Sequence, residues 1–506
     1  MPDGPDRPCP HALVVILGTG FAGLGMAIRL QQSGIRDVLL LERGDSVGGT
    51  WRDNTYPGAA CDIPSHLYSF SFELNPRWSR VYSRQPEIRA YLEHCTDRYG
   101  LRDRIRFGAE VVETRFDEGQ TRWHIHTRDG RHFTARYLVT ALGALKDPSY
   151  PDLPGLGRFD GPALHSARWD HDVDFTGKRV GVIGTGASAI QLVPELAKVA
   201  SHLTVFQRTP PWVTPRNDRA YTEAEKRRFG RSTALMRLHR WRIYSWQEIR
   251  HPLVFGASSL VGSIVEWRLR RTIREHFPEP AQADALTPDY RLGCKRILPS
   301  DDWYPAIAHP HVDVDHTAIA RIIPEGVELV DGRTVDFDVL VYCTGFDVCR
   351  PMGDTKTFGR GGVELGQWWG ARPRAYLGIT VPRFPNAFIL LGPNTGLGHN
   401  SVIVMIEAQV EYVLQAIEHM EQRPQLATLE VDEAALERFM AALDHDLQGR
   451  VWQTGCSSWY LGAGGVNFTL WPSSTVDYIA KTRRFDPGIY RMRTYDEAEG
   501  APSTPS

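Results

Sequence analysis

Five consecutive apolar residues, LVVIL at 13–17, run straight into a glycine cluster. The next stretch, GLGMAIRLQQSG, has helical character and stops at Gly34; a second apolar run, VLLL, ends at Glu42. Uninterrupted β-branched runs of this length suit strands buried on both faces, as in a parallel sheet covered by helices. The same order returns at RVGVI (179–183), IQLVPELAKVA and LTVF. The chain therefore carries one strand–turn–helix–strand unit twice, which predicts an α/β fold with two Rossmann-like dinucleotide-binding domains.

The two turns read Gly18-Thr19-Gly20-Phe21-Ala22-Gly23 and Gly184-Thr185-Gly186-Ala187-Ser188-Ala189. In this context the first glycine permits the tight turn. The second lets backbone approach a pyrophosphate, and the third position lets helix and strand pack closely. The pyrophosphate then faces free N–H groups at a helix start. The units differ where the second strand ends. Glu42 follows Gly18 by 24 residues and Arg208 follows Gly184 by 24. A carboxylate there accepts from free ribose hydroxyls, whereas an arginine suits a 2′-phosphate. The first unit is expected to bind a dinucleotide with a free ribose, such as FAD or NAD, and the second NADP(H). Two sites of different type imply electron transfer, and FAD taking hydride from NADPH is the simplest pairing.

Two further runs into glycine, YLVTALG (137–143) and VLVYCTG (339–345), predict returns to the first sheet. The expected division is a first FAD-binding part at 1–145 and an inserted NADPH-binding domain at 146–335. A second FAD-binding part at 336–490 and a disordered tail at 491–506 follow. A helical lobe is expected at about 216–285. Residues 216–274 hold fourteen Lys/Arg against five Asp/Glu, with Trp241, Tyr244, Trp246 and Trp267 among them. This block reads as a helical lobe with a solvated basic face. A basic amphipathic surface touching membranes is the alternative.

Composition narrows the classes. The 506 residues are 42% apolar and 23% charged with net charge −2, which excludes disorder or coiled coil for the whole chain and gives no global basic field for nucleic acid. Seven scattered cysteines without a C-x-x-C fit a reducing cytoplasm, and no metal site is expected. The apolar run at the N-terminus is too short for a signal peptide or a membrane span.

Two longer motifs carry a family likeness. One is Phe159-x-Gly161-x-x-x-His165-x-x-x-Trp169-Asp170, just before the second glycine turn. The other joins Gly48-Gly49-Thr50-Trp51 to Tyr56-Pro57-Gly58 and Asp62. With them the chain resembles the class B flavoprotein monooxygenases, and within these the Baeyer–Villiger monooxygenases, over about residues 12–475. The resemblance implies reduction of FAD by NADPH and reaction with O2 to a flavin C4a-peroxide. It further implies oxygen insertion beside a ketone carbonyl, giving an ester or lactone.

The resemblance also implies roles. Arg296 would be the active-site cation and Asp62 its orienting carboxylate. Gly18, Gly20, Phe21, Gly23, Glu42, Arg43, Gly49, Thr50, Trp51, Asp62, Val111, Gly392 and Asn394 would contact FAD. Gly184, Thr185, Gly186, Ala187, Ser188, Gln191, Arg208, Thr209, Lys295 and Trp459 would contact NADPH. His165 and Trp169 would couple domain movement to cofactor binding, although a structural histidine reads equally well. The continuation YLGAGGVNFTLWP after Trp459 departs from the well-studied cyclic-ketone enzymes, so substrate preference does not carry over. Two alternatives remain open: an N- or S-oxygenating flavin monooxygenase, and an NADPH-flavin reductase without oxygen insertion.

Overall fold

Both glycine turns lie at the carboxyl ends of central parallel strands, and the fold follows from that placement. The computed structural model describes residues 10–255, 260–348, 350–453, 455, 460 and 465–499. In the first unit β1 (His11–Leu17) leads through the turn into α1 (Phe21–Gln32) and β2 (Val38–Leu41). β1 pairs in parallel with β2 (Val14 opposite Val38) and with the strand His132–Thr140 (Val14 opposite Tyr137). Its residues Val14 to Leu17 are buried on both faces, as an unbroken apolar run requires. The sheet has eight strands, including an antiparallel excursion through Val111–Asp117 and Arg122–Thr127 and a late strand, Ala387–Ile389.

The second unit builds its own five-stranded sheet. β3 (Arg179–Ile183) leads into α2 (Ala189–Leu196) and β4 (His202–Phe206), which pairs with β3 in parallel. Two long helices, α3 (Thr233–Phe255) and α4 (Leu260–His276), form most of the lobe predicted at 216–285. No helix among the described residues is long and apolar enough to cross a membrane.

Two expectations are corrected. The run VLVY is β5 (Val339–Tyr342), and it pairs with β3 and with Ala163–His165 in the second sheet. The chain reaches the first sheet only later, through Lys356–Phe358 and Ala387–Ile389. A buried apolar strand before glycine suits either sheet equally, and pairing decides which one takes it. The expected disordered tail is partly ordered: Tyr490–Thr494 pairs antiparallel with Leu426–Val431, and a helical turn, Tyr495–Glu499, follows. Tyr490 is buried there and anchors the strand.

Candidate active site

Gly18 takes φ +102°, and a Cβ on it would stand 2.7 Å from the Ala141 carbonyl oxygen. A Cβ on Gly23 would lie 1.9 Å from the Gly18 carbonyl oxygen, so this position tolerates only glycine. Gly20 starts α1 without a side-chain cap, which leaves first-turn N–H groups for an anion. Phe21 contributes backbone alone, because its ring is buried edge-on to Tyr68 and Phe70. The Gly49 loop closes onto the same turn. Gly48 donates its N–H to Thr19, and a Cβ on Gly49 would come within 3.2 Å of the Gly20 Cα. Thr50 and Trp51 open a short helix from that loop, and the Trp51 indole donates to the Tyr68 hydroxyl.

Glu42 is buried at the end of β2. It accepts from the Thr19 N–H (3.0 Å) and hydroxyl (2.7 Å) and from the Gly44 N–H, and it pairs with Arg52 at 2.7 Å. Its carboxylate is thereby fixed beside the glycine turn. Arg43 turns outward to Asp147 at 3.3 Å, and Val111 begins the first strand of the excursion. Asn394 is buried at positive φ. Its amide nitrogen donates to the Asn467 and Leu470 carbonyls, but its Oδ1 has no hydrogen-bond partner among the described residues. Gly392 lets that passage pass within close reach of the Gly378 backbone. A cradle only glycine can form, a bare helix start and an orphaned buried acceptor together fit a large dinucleotide.

The second turn differs in its openness. Gly184 has φ +108° and presses on the Cys343 carbonyl oxygen, whereas a Cβ on Gly186 would meet nothing within 4 Å. Gly186 and Ala187 are exposed, Thr185 donates to the Thr209 carbonyl oxygen, and Ser188 precedes α2 without capping it. Arg208 is exposed close to half-buried Lys295. Burial first, and Arg208 second, hold the Lys295 ammonium below its ordinary value. Neither cation forms an ion pair among the described residues; Asp289 offsets part of the shift on Lys295, which lies over the Tyr290 ring. Two neighbouring cations outside any ion pair, beside the end of β4, suit a phosphate dianion.

A further charge pair joins the Asp62 loop, held by α2, to the segment after Lys295. Arg296 donates from Nε to Asp62 Oδ2 at 3.0 Å, and Nη2 donates to the same oxygen; Nη1 reaches the Leu397 carbonyl at 3.3 Å. Their side chains are 27% and 26% exposed. Burial disfavours the ionised carboxylate, yet the Arg296 charge outweighs it and holds Asp62 below its ordinary value. Arg296 is raised in turn, chiefly by Asp62. The phenol of buried Tyr460 also bears on Arg296, a residue that the motifs did not single out. Trp459 lies outside the described residues.

Gln191, expected at NADPH, spends both ends of its amide on the loop before Asp62. It donates to the Ala60 carbonyl and accepts from the Ala60 N–H and the Tyr56 hydroxyl. Gly58 packs on the Gln191 backbone. α2 thus grips the segment carrying Asp62 and ties the two domains together. His165 lies at the edge of the second sheet and accepts from the Ala167 N–H; burial lowers it to about 4, so it is neutral at pH 7. Trp169 stacks on Phe175. Cys61, Cys95 and Cys343 are free, whereas Cys294 is disulfide-bonded, a bond that the scattered cysteine pattern did not predict.

A sequence profile described as pyridine nucleotide-disulphide oxidoreductase matches residues 15–226. A Baeyer–Villiger monooxygenase of Pseudomonas aeruginosa is 45% identical, with 97% of this chain and 95% of the relative aligned. One from Streptomyces coelicolor is 43% identical over 95% and 93%. The chain belongs to the Baeyer–Villiger monooxygenase family. Solved structures agree over almost the full length. The cyclohexanone monooxygenase of Rhodococcus sp. Phi1, solved with NADP+, superposes with a TM-score of 0.86 at 29% identity, covering 96% of this chain and 100% of that one. An oxidised steroid monooxygenase solved with NADP gives 0.83 at 31% identity, covering 94% and 97%. The protein is accordingly a flavin-dependent monooxygenase that acts on a small molecule with O2.

Proposed function

We propose that this monooxygenase uses FAD and NADPH to insert one oxygen atom beside the carbonyl of a ketone, giving an ester or lactone. The single observation that carries the proposal is the Arg296–Asp62 pair, set between the two dinucleotide cradles. When bound, the flavin accepts two electrons from the nicotinamide and activates O2. The first glycine turn, the Gly49 loop and Asn394 would hold FAD. The second turn, Arg208, Thr209 and Lys295 would hold NADPH by its pyrophosphate and 2′-phosphate. In this reading an NADPH-binding domain is inserted within the FAD-binding domain.

Carbonyl addition puts negative charge on the former carbonyl oxygen. A fixed cation in a site with little water lowers the cost of that charge. Arginine suits the task because it stays protonated and presents several donors. Asp62 takes Nε and Nη2 on one oxygen, which leaves Nη1 directed away from it, towards Leu397. In this reading Asp62 orients the guanidinium and offsets its charge while the substrate reacts. The buried free thiols of Cys61, Cys95 and Cys343 support a cytoplasmic setting, with the Cys294 disulfide as the exception.

The test is NADPH-dependent turnover of a panel of ketones and sulfides by FAD-loaded enzyme, with product analysis. Esters or lactones from ketones, lost in Arg296→Ala with FAD still bound, are expected. Sulfoxides alone would favour the N- or S-oxygenating reading. NADPH oxidation that yields only hydrogen peroxide would favour a reductase.

A further inference from the structure

The lobe helices bury one face and leave the other apolar. On the inner side of α3, Arg240 donates to the carbonyls of His66, Leu67 and Ser69 at 2.8, 3.1 and 2.9 Å. Further along, Glu248 accepts from Asn400 and from the Thr475 hydroxyl, each at 2.6 Å. α4 buries Gly262, Leu269 and Ile273. These contacts fix which face of each helix points outward.

The outward faces are rich in large hydrophobic side chains. On α3, Leu238, Trp241, Trp246 and Ile249 fall on one side at helical spacing, and on α4 so do Leu260, Val261, Ile264 and Trp267. Trp241, Trp246 and Trp267 are 61%, 64% and 60% exposed. Isolated exposed apolar residues are ordinary in a folded protein, but stripes on two adjacent helices mark a surface that meets something. Arg242, Arg268 and Arg274 are exposed at or beside these stripes and make no ion pair among the described residues.

Charge decides between occupants. The block 216–274 carries fourteen Lys/Arg against five Asp/Glu in a chain whose net charge is −2. A second copy meeting this face across a two-fold axis would set one basic block against another. A bilayer bearing anionic headgroups complements it. Tryptophan settles at the headgroup level, aliphatic side chains enter the acyl boundary, and arginines reach back to the phosphates. We propose that α3 and α4 form a docking surface for anionic phospholipid membranes, on which the enzyme sits peripherally.

Flotation of the full-length, FAD-loaded enzyme tests this, with phosphatidylcholine vesicles against vesicles holding about 30% phosphatidylglycerol. Anionic vesicles should carry at least about tenfold more enzyme than neutral ones, and raised salt should release it. Trp241→Ser/Trp246→Ser/Trp267→Ser should cut the bound fraction about tenfold, with FAD content and vesicle-free turnover unchanged. Arg242→Gln/Arg268→Gln/Arg274→Gln should erase the preference for anionic lipid. Absence of flotation on anionic vesicles would overturn the proposal. So would wild-type flotation in both variants. A dimer in light scattering that the tryptophan variant dissociates would assign the face to a second copy instead.

Discussion

Asp62→Asn keeps the size and shape of the side chain but removes the charge that holds Arg296. Two guanidinium donors converge on one Asp62 oxygen. Hydrogen bonds to a charged partner contribute about 1.5–3 kcal/mol and neutral ones about 1 kcal/mol. Both side chains are about a quarter exposed, which discounts the loss. The expected cost is about 2 kcal/mol, far below that of a fully buried pair. If that contact is needed as the substrate reacts, ester formation should fall about 30-fold. Stopped-time product analysis with FAD content measured in parallel reads the effect, and thermal unfolding reads the stability loss.

Because Asp62 titrates below its ordinary value, the pair contributes fully above that value and is lost only as pH falls through the lower one. The stability gap between wild type and Asp62→Asn should therefore stay flat from about pH 5 to pH 9 and close in stronger acid. Wild-type ester rates in Asp62→Asn with FAD bound would refute the orienting role.

Arg208→Ala should raise the Michaelis constant for NADPH about 10–100-fold and leave that for NADH nearly unchanged, as loss of one phosphate partner predicts; steady-state kinetics with both coenzymes decide it. Gly23→Ala and Gly186→Ala should part ways. The first forces a Cβ into the Gly18 carbonyl oxygen and should yield protein without flavin, whereas the second meets open space and should keep FAD while weakening NADPH. Absorbance spectra and coenzyme titration separate them. Buried His66, lowered to about 3, and His165, lowered to about 4, stay neutral in the folded chain while the unfolded chain gains protons below about pH 6.5. Thermal stability should accordingly drop as pH falls from about 6.5 to 4, with His66→Gln flattening the slope.

Local pattern sufficed for the two glycine units, because the chemistry of a phosphate cradle is written in adjacent residues. It failed for Val339–Tyr342, whose apolar run fits either sheet. It failed again for Tyr490–Thr494, where only one buried ring marks the strand. Asp62 and Arg296 lie 234 positions apart, and nothing local to either announces the other. Their pairing was legible only through family likeness. The bearing of Tyr460 on Arg296 and the grip of Gln191 on Ala60 depend on tertiary placement, which no local pattern announces. The lobe was legible in its charge. Its apolar stripes emerge only once the inner faces of the helices are known.

The roles given to Arg296 and Asp62 both serve oxygen insertion from O2 beside a ketone carbonyl. The direct measurement is mass spectrometry of the product formed from a ketone under oxygen-18 gas with FAD-loaded enzyme and NADPH. An ester or lactone carrying one labelled oxygen atom is expected, coupled to NADPH consumed and absent from Arg296→Ala. NADPH oxidation that leaves every ketone intact and delivers all the label as hydrogen peroxide would contradict it.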